Sequence, residues 1–466
     1  MHARLTAATA WCAALALSLL TAPAAAALGG PSTLDRPGSG ATTPALTGSL
    51  FVQNVADGNQ LSASGSWVTT NRPRGDEDRQ QWELRESPNG GHTLRSVGAA
   101  DVCLTEENAS GADARLSVGT CSGPRTEWLV QEQADGRHRI EARGSGRVLV
   151  GGEGHGATAR AVAAAGSGPR QEWHLTPVSP PRAPMPATPR LDEVTFLTTH
   201  NAMHNTEDQP GFLVAPNQPH DVAAQLRAGA HALMLDAHHA AGRLRLCHDI
   251  PVVGNCSRAR PAADFFADIG AFLAEDRDAV VTVFLEDYST AEQLRTELAG
   301  QLGAGSALAD RVFRPDAAGV REHGWPTLAE LRRTDQRLLL FTSDTAASAR
   351  SNGKNALGFM SQRDWTVENY WSMGGGLGTG DWSCYSRWDD IPLSREEDGF
   401  RRLFVMNHFR DVPMAPTYRT DNEKLQNRAE RFCMPAARKK PNYLAIDQYK
   451  DGNPMAAVDA LNRYTY

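Results

Sequence analysis

FLTTHNAMHNTEDQ, residues 196–209, is a short apolar run that breaks off at His200-Asn201, and the His-Asn pair returns at His204-Asn205. Histidines four residues apart can sit one helical turn from each other and share a zinc ion, as in H-E-x-x-H. Here Asn201 stands where that motif needs its glutamate base. The NTEDQPG that follows is poor helix, closed by Pro and Gly. The alternative is a buried strand whose last residues emerge at its mouth, which makes His200 and Asn201 candidates for acid/base work.

Five further stretches share this texture: ALMLDAH (232–238), AVVTVFLED (279–287), RLLLFTSD (337–344), RRLFVMNHF (401–409) and NYLAIDQY (442–449). Between them lie helical patterns such as DVAAQLRAGA (221–230), AADFFADIGAFLAE (262–275) and TAEQLRTELAGQL (290–302). Continuous apolar runs mark parallel strands covered on both faces, and their alternation with helices predicts βα units forming a barrel or an open α/β sheet. The roughly 275 residues after Arg190 suit a barrel, which works at the C-terminal ends of its strands. His200 ends the first run, Asp236 the second and Glu286 the third, while His248 follows the short RLRLC run at 243–247. On such a sheet these four side chains converge on one mouth. One imidazole can withdraw a proton from an attacking hydroxyl while a second protonates the leaving oxygen, and carboxylates beside them can orient a ring or hold a hard cation. Asp447, ending the last run, is a candidate to orient a histidine, and His408 is a candidate to line the site. His204, His231 and His239 are expected at the surface or behind the site.

The rest of the chain frames this domain. Residues 1–27 begin with basic Arg4, continue through an apolar run from Leu5 to about Leu20 and end in small residues, as a secretory signal peptide does. Cleavage is expected near Ala26 or Ala27, leaving an N-terminal linker at 28–46 and an exported, soluble protein. The six cysteines outside the leader suit an oxidising compartment, and their spacing pairs Cys103 with Cys121, Cys247 with Cys256, and Cys384 with Cys433. A formal charge of −7 gives no basic footprint for nucleic acid. The proline-dense TPVSPPRAPMPATPR (176–190) favours a stiff extended linker, so a domain boundary is placed at 177–190. Before it, in 47–176, tryptophans recur at Trp82, Trp128 and Trp173 inside QQWEL, TEWLV and QEWHL, 46 and 45 residues apart. Units of that length with short β-type runs need one another to bury their apolar faces.

This repeat resembles the β-trefoil of the ricin B-type lectin family, whose Q-x-W motif stands at Gln80-Gln81-Trp82 and Gln171-Glu172-Trp173, with Thr126 replacing the glutamine in the middle copy. The Cys103–Cys121 loop resembles that family's within-repeat disulfide. Its sugar-binding aspartate has no match in QLSAS, VCLTEEN or RVLVG, so the resemblance implies the fold, and carbohydrate as a partner, more strongly than particular sugar sites.

The domain at 191–466 resembles the phosphatidylinositol-specific phospholipase C X-domain family, in its secreted THNAM branch. THNAM, QLRAGAHALMLDAH, LRLCHD, FFADIGAFLAEDRDAVVTVFLEDY, WPTLAEL, RLLLFTSD, VENYW, VMNHF and NYLAIDQY follow in the family's order. The resemblance implies a multidomain chain, an all-β trefoil followed by an α/β distorted TIM-type barrel, with a two-histidine attack on a phosphodiester of phosphatidylinositol or a related lipid at a membrane surface. It implies His200 and His248 as the histidines, with Asp236 and Glu286 beside them. It further implies Asn201, Asp236 and Glu286 as ligands of Ca2+ in metal-dependent members, whose further acidic ligand is here Met234. Metal-independent members carry an arginine where this chain has His238, which is expected to supply charge when protonated, and Asp249 is expected to raise the pKa of its neighbour His248. A glycerophosphodiester or sphingomyelin-type phosphodiesterase, and an inactive carbohydrate-binding protein, are the competing readings; a monomer is expected in each.

Overall fold

The computed structural model describes residues 48–466 except 109–110, 134, 165, 167, 212–214, 250–255, 346–347 and 349–352. The leader, the 28–46 linker and the middle of the apolar GFLVAP loop (211–216) lie outside the described residues. No helix among those described is long and apolar enough to cross a membrane.

Thirteen strands between Ser49 and Pro177 form one trefoil-like, all-β sheet. Its first strand pairs with its last, Phe51 opposite Thr176, so the two ends of the region close on each other. Trp82, Trp128 and Trp173 are fully buried. A buried indole N–H needs an acceptor, and each finds one at an equivalent place: Leu61 O at 2.9 Å, Leu104 O at 3.0 Å and Leu149 O at 3.0 Å. The tryptophans are thus the hubs of a shared core with Leu50, Leu94 and Ile140. Gln80 of the first Q-x-W unit folds the loop before it, donating to Arg72 O at 2.9 Å and accepting from Arg74 N at 2.7 Å. Cys103–Cys121, Cys247–Cys256 and Cys384–Cys433 are all bonded.

The proline-rich segment is extended and pinned: Ala183–Pro184 pairs with Tyr464–Thr465 at the C-terminal end of the chain. Beyond it the chain builds a curled parallel sheet of eight strands: β1 (Phe196–Thr199), β2 (Ala232–Ala240), β3 (Val281–Asp287), β4 (Leu338–Thr342), β5 (Phe359–Ser361), β6 (Thr366–Glu368), β7 (Leu403–Asn407) and β8 (Tyr443–Ile446). Their order is β5-β4-β3-β2-β1-β8-β7-β6, so the first and last strands lie side by side and the ladder is open between β5 and β6. The antiparallel arm Arg243–Leu246 extends β2 outward. Helix α1 (Ala262–Glu275) shows how the crossovers pack. Its Phe265, Phe266, Ile269, Phe272 and Leu273 fall on one face and join Val281, Val283 and Leu285 of β3 in one core. In β3 burial is continuous from Val281 to Leu285 and ends at Glu286. β4 behaves likewise, its buried run ending at exposed Ser343, whereas β2 alternates along its length and holds Asp236 at a half-buried position.

Trefoil and curled sheet belong to one compact unit, Leu46–Tyr466. Gln53, buried in the first trefoil strand, donates to Ala436 O at 2.7 Å. At Gly75 a Cβ would lie 1.5 Å from Arg431 O, a backbone approach that only glycine allows.

Candidate active site

A cavity of about 590 Å3 opens at the C-terminal end of the sheet, and His200, Asn201, Asp236, His248 and Glu286 all line it. All five sequence-predicted residues are therefore brought together, although 86 positions separate the first from the last.

His200 leaves β1 beside β8, where Thr199 is paired with Ile446. Its Nδ1 is 2.9 Å from Oδ1 of buried Asp447, the residue that follows β8. A carboxylate accepts, so Nδ1 carries the proton and Nε2 keeps a free lone pair. The ring lies flat on Phe409, centroids 3.5 Å apart and planes 5° from parallel. Asn217 donates to the same Asp447 oxygen at 2.8 Å, and Gln218 donates to His200 O at 2.8 Å, fixing the carboxylate and the backbone behind the ring.

Asn201 has φ of 44°, in the left-handed region that asparagine tolerates better than most residues. Its amide nitrogen is 2.5 Å from His248 Nδ1, which makes that ring nitrogen the acceptor and leaves the proton on Nε2. The peptide of His248 is clamped by buried Gln209, which accepts from its N at 2.9 Å and donates to its O at 3.0 Å. Burial, reinforced by the imidazoles of His204, His200 and His238, pushes His248 down to about 3. Asp249 therefore does not raise His248 as the sequence suggested; desolvation dominates, and the Asp249 charge bears on His238 instead. His238 is itself held below its ordinary value by burial, so it is not a ready cation at neutral pH. It stacks on Tyr288 at 4.5 Å.

Asp236 and Glu286 are direct partners across β2 and β3. Burial first, and the Glu286 charge second, raise Asp236 well above the usual carboxylate range. Tyr288 donates its hydroxyl to Glu286. Calcium wants six to eight oxygens. Of the residues implied, Asp236 and Glu286 offer carboxylates and Asn201 its amide oxygen, its nitrogen being held by His248, while Met234 lines the same cavity in place of a further acidic ligand. Among the described residues no group of three or more His, Cys, Asp or Glu is arranged to hold a metal ion. The donor set falls short of a calcium site.

The opposite wall was not assigned from the sequence. Buried Glu368, ending β6, accepts from Gln362 at 2.9 Å, Asn407 at 2.7 Å and Arg387 at 3.0 Å. The Glu368 carboxylate holds the Arg387 guanidinium above its ordinary pKa. Trp371 and Trp388 complete this side. The other histidines go elsewhere. His204 is buried behind the site, bonded to Asn217, with its ring 5.2 Å from His248. His231 packs on Phe272 and His239 is exposed. His408 is in the core, donating Nε2–H to Asp421 O at 2.8 Å, and does not line the cavity.

The family model "PI-PLC X 1" matches residues 188–462, and a ricin-type β-trefoil lectin domain-like model matches 78–164. A PI-PLC X domain-containing protein of Arabidopsis thaliana is 26% identical over 288 residues, 59% of this chain; the chain spans 62% of that relative's length. Among solved structures, the designed three-fold symmetric protein ThreeFoil is 20% identical over 27% of this chain and 96% of its own, with a TM-score of 0.25. The Rhizoctonia solani agglutinin is 17% identical over 28% of this chain and 94% of its own, with a TM-score of 0.24.

Proposed function

The chain belongs to the PI-PLC X family, and from that premise we propose that it is a secreted phospholipase C-like phosphodiesterase acting on phosphatidylinositol or a related lipid, with a lectin-like module in front. One observation carries the reading: each of two imidazoles has its Nδ1 engaged, His200 by Asp447 and His248 by Asn201, so that both Nε2 atoms are left for chemistry at one cavity.

For an inositol lipid, His200 Nε2 takes the proton of the ring hydroxyl next to the phosphate. That oxygen bonds to phosphorus, the bond from phosphorus to the glycerol oxygen breaks, and His248 Nε2 supplies the proton that leaves with diacylglycerol. The resulting His200 imidazolium is stabilised by Asp447. To act, His248 must take up a second proton at Nδ1, with the Asn201 amide turned so that its oxygen accepts it; the incoming phosphodiester's negative charge opposes the desolvation that keeps the ring neutral, so proton uptake accompanies substrate binding. Asp236, whose protonated form is favoured by burial and by the Glu286 charge, donates to a phosphoryl oxygen whenever it carries that proton. No step is assigned to calcium, and turnover in excess chelator is expected within about twofold of turnover in calcium.

A lipid substrate is supported by the rim. Tyr288, Tyr370, Trp371, Leu377 and Val412 are among the exposed large apolar side chains. Tyr288 and Trp371 line the cavity itself. The curled sheet is read as a distorted TIM-type barrel whose distortion is the gap between β5 and β6. Export with loss of residues 1–27, supported by three disulfides, a monomeric state and carbohydrate binding by the trefoil belong to the same proposal. The test is diacylglycerol release from vesicles containing phosphatidylinositol: His200→Ala and His248→Ala should each lower kcat at least about 10³-fold. Wild-type rates in either variant would overturn the roles, and glycan binding without turnover of any phosphodiester would favour a lectin over an enzyme.

A further inference from the structure

The cavity wall that the sequence did not reveal hangs from the segment between β6 and β7, residues 369–402, in which no helix or strand longer than a bridge is described. Trp371, Arg387 and Trp388 all come from it. A segment of that length needs fixing if its side chains are to hold a place in a binding site. Part of the fixing comes from within its own domain: the Cys384–Cys433 bond and the Arg387 N to Glu368 O hydrogen bond at 2.9 Å. The rest comes from the trefoil. Cys384 N donates to Pro73 O at 3.0 Å, and the Arg72 guanidinium sits 3.7 Å from the centre of the Tyr385 ring. Tyr385 stacks on Tyr370, centroids 5.2 Å apart and 18° from parallel, and Tyr370 N donates to Tyr385 O at 2.9 Å. Tyr370 is followed by Trp371 in the cavity wall, and Arg387 comes two residues after Tyr385.

We propose that Arg72 of the trefoil is a positioning residue for the catalytic cavity, its cation–π contact with Tyr385 setting the wall that carries Trp371 and Arg387. The trefoil is on this account a buttress of the active site as well as a binding module, and the inference rests on the phosphodiesterase reading above. The contact lies behind the wall and away from His200 and His248, so its loss acts on substrate binding and leaves the proton transfers in place. A cation–π pair is worth about two- to fivefold in an equilibrium when exposed and about thirtyfold when desolvated, and a half-buried one falls between.

Arg72→Ala and Arg72→Lys, each in the full chain, are compared with wild type on phosphatidylinositol vesicles. Arg72 is only half-buried, so both variants keep the fold, and thermal unfolding checks this. Arg72→Ala should raise KM about three- to tenfold with kcat within about twofold, and should speed hydrogen exchange of the amides at 384–388; Arg72→Lys, which keeps a cation over the ring, should recover most of both. Arg95→Ala, which removes an exposed trefoil ion pair with Asp101, should change neither. An active wild type with unchanged KM and unchanged exchange in Arg72→Ala overturns the positioning role and leaves the phosphodiesterase reading standing. A wild type that turns over no phosphodiester overturns both.

Discussion

His408 and His248 show how much of this protein's pH behaviour is set by burial. Burial drives each imidazole down to about 3, in His408 with the Arg428 charge adding to it. Both must stay neutral in the folded chain, whereas an unfolded histidine protonates near its ordinary 6.5. Their stabilising effect is thus fully present above about pH 6.5, and it is lost progressively as pH falls from there toward about 3, because the unfolded state binds the protons first. Urea titrations should show wild type losing on the order of 1–2 kcal/mol more than His408→Gln between pH 7 and pH 5, when each is referred to its own pH 7 value. Equal acid slopes would contradict a buried neutral His408. At this scale the sequence was legible where chemistry sits at the end of an apolar run: His200 and Glu286 could be found because their strands' burial stops at them, and Asp236 because the run ALML breaks there, although its strand continues to Ala240. It was blind to Glu368, which ends a strand of only three residues, and to Arg387, which lies in a segment with no period. The expected influence of Asp249 on His248 failed for a related reason, since adjacency in sequence does not say how much water a ring loses.

Among the elements, the trefoil units were readable from three tryptophans because each indole is a structural hub. Trp173→Phe keeps most of the apolar volume but removes the donor to Leu149 O, leaving a buried carbonyl without its partner. It should cost about 1–3 kcal/mol in chemical denaturation, and a change below about 0.5 kcal/mol would contradict the anchoring role. The six long runs after the linker all became strands, whereas β5 and β6 went unseen. Two three-residue strands flanking the helical turn Gln362–Trp365 give neither a period of two nor a run long enough to stand out. That is also where the ladder stays open. The proline-rich segment kept the extended form its composition dictates, but its pairing with Tyr464–Thr465 is a long-range event that no local pattern announces.

For the whole molecule, two domains that the sequence divides at 177–190 share one compact unit, and a long segment between β6 and β7 is built from both sides. Three disulfides and the acid/base residues gathered at one cavity support the proposed reading. In the proposed reaction a hydroxyl of the substrate itself, activated at His200, is the first nucleophile and His248 serves the leaving group. The most direct test is phosphorus NMR of wild-type protein turning over phosphatidylinositol in mixed micelles. A cyclic inositol phosphodiester resonance should precede any inositol monoester, with diacylglycerol extracted from the same samples rising in step with the cyclic species; monoester from the outset with no cyclic species, or no phosphorus product at all, would contradict that order of events.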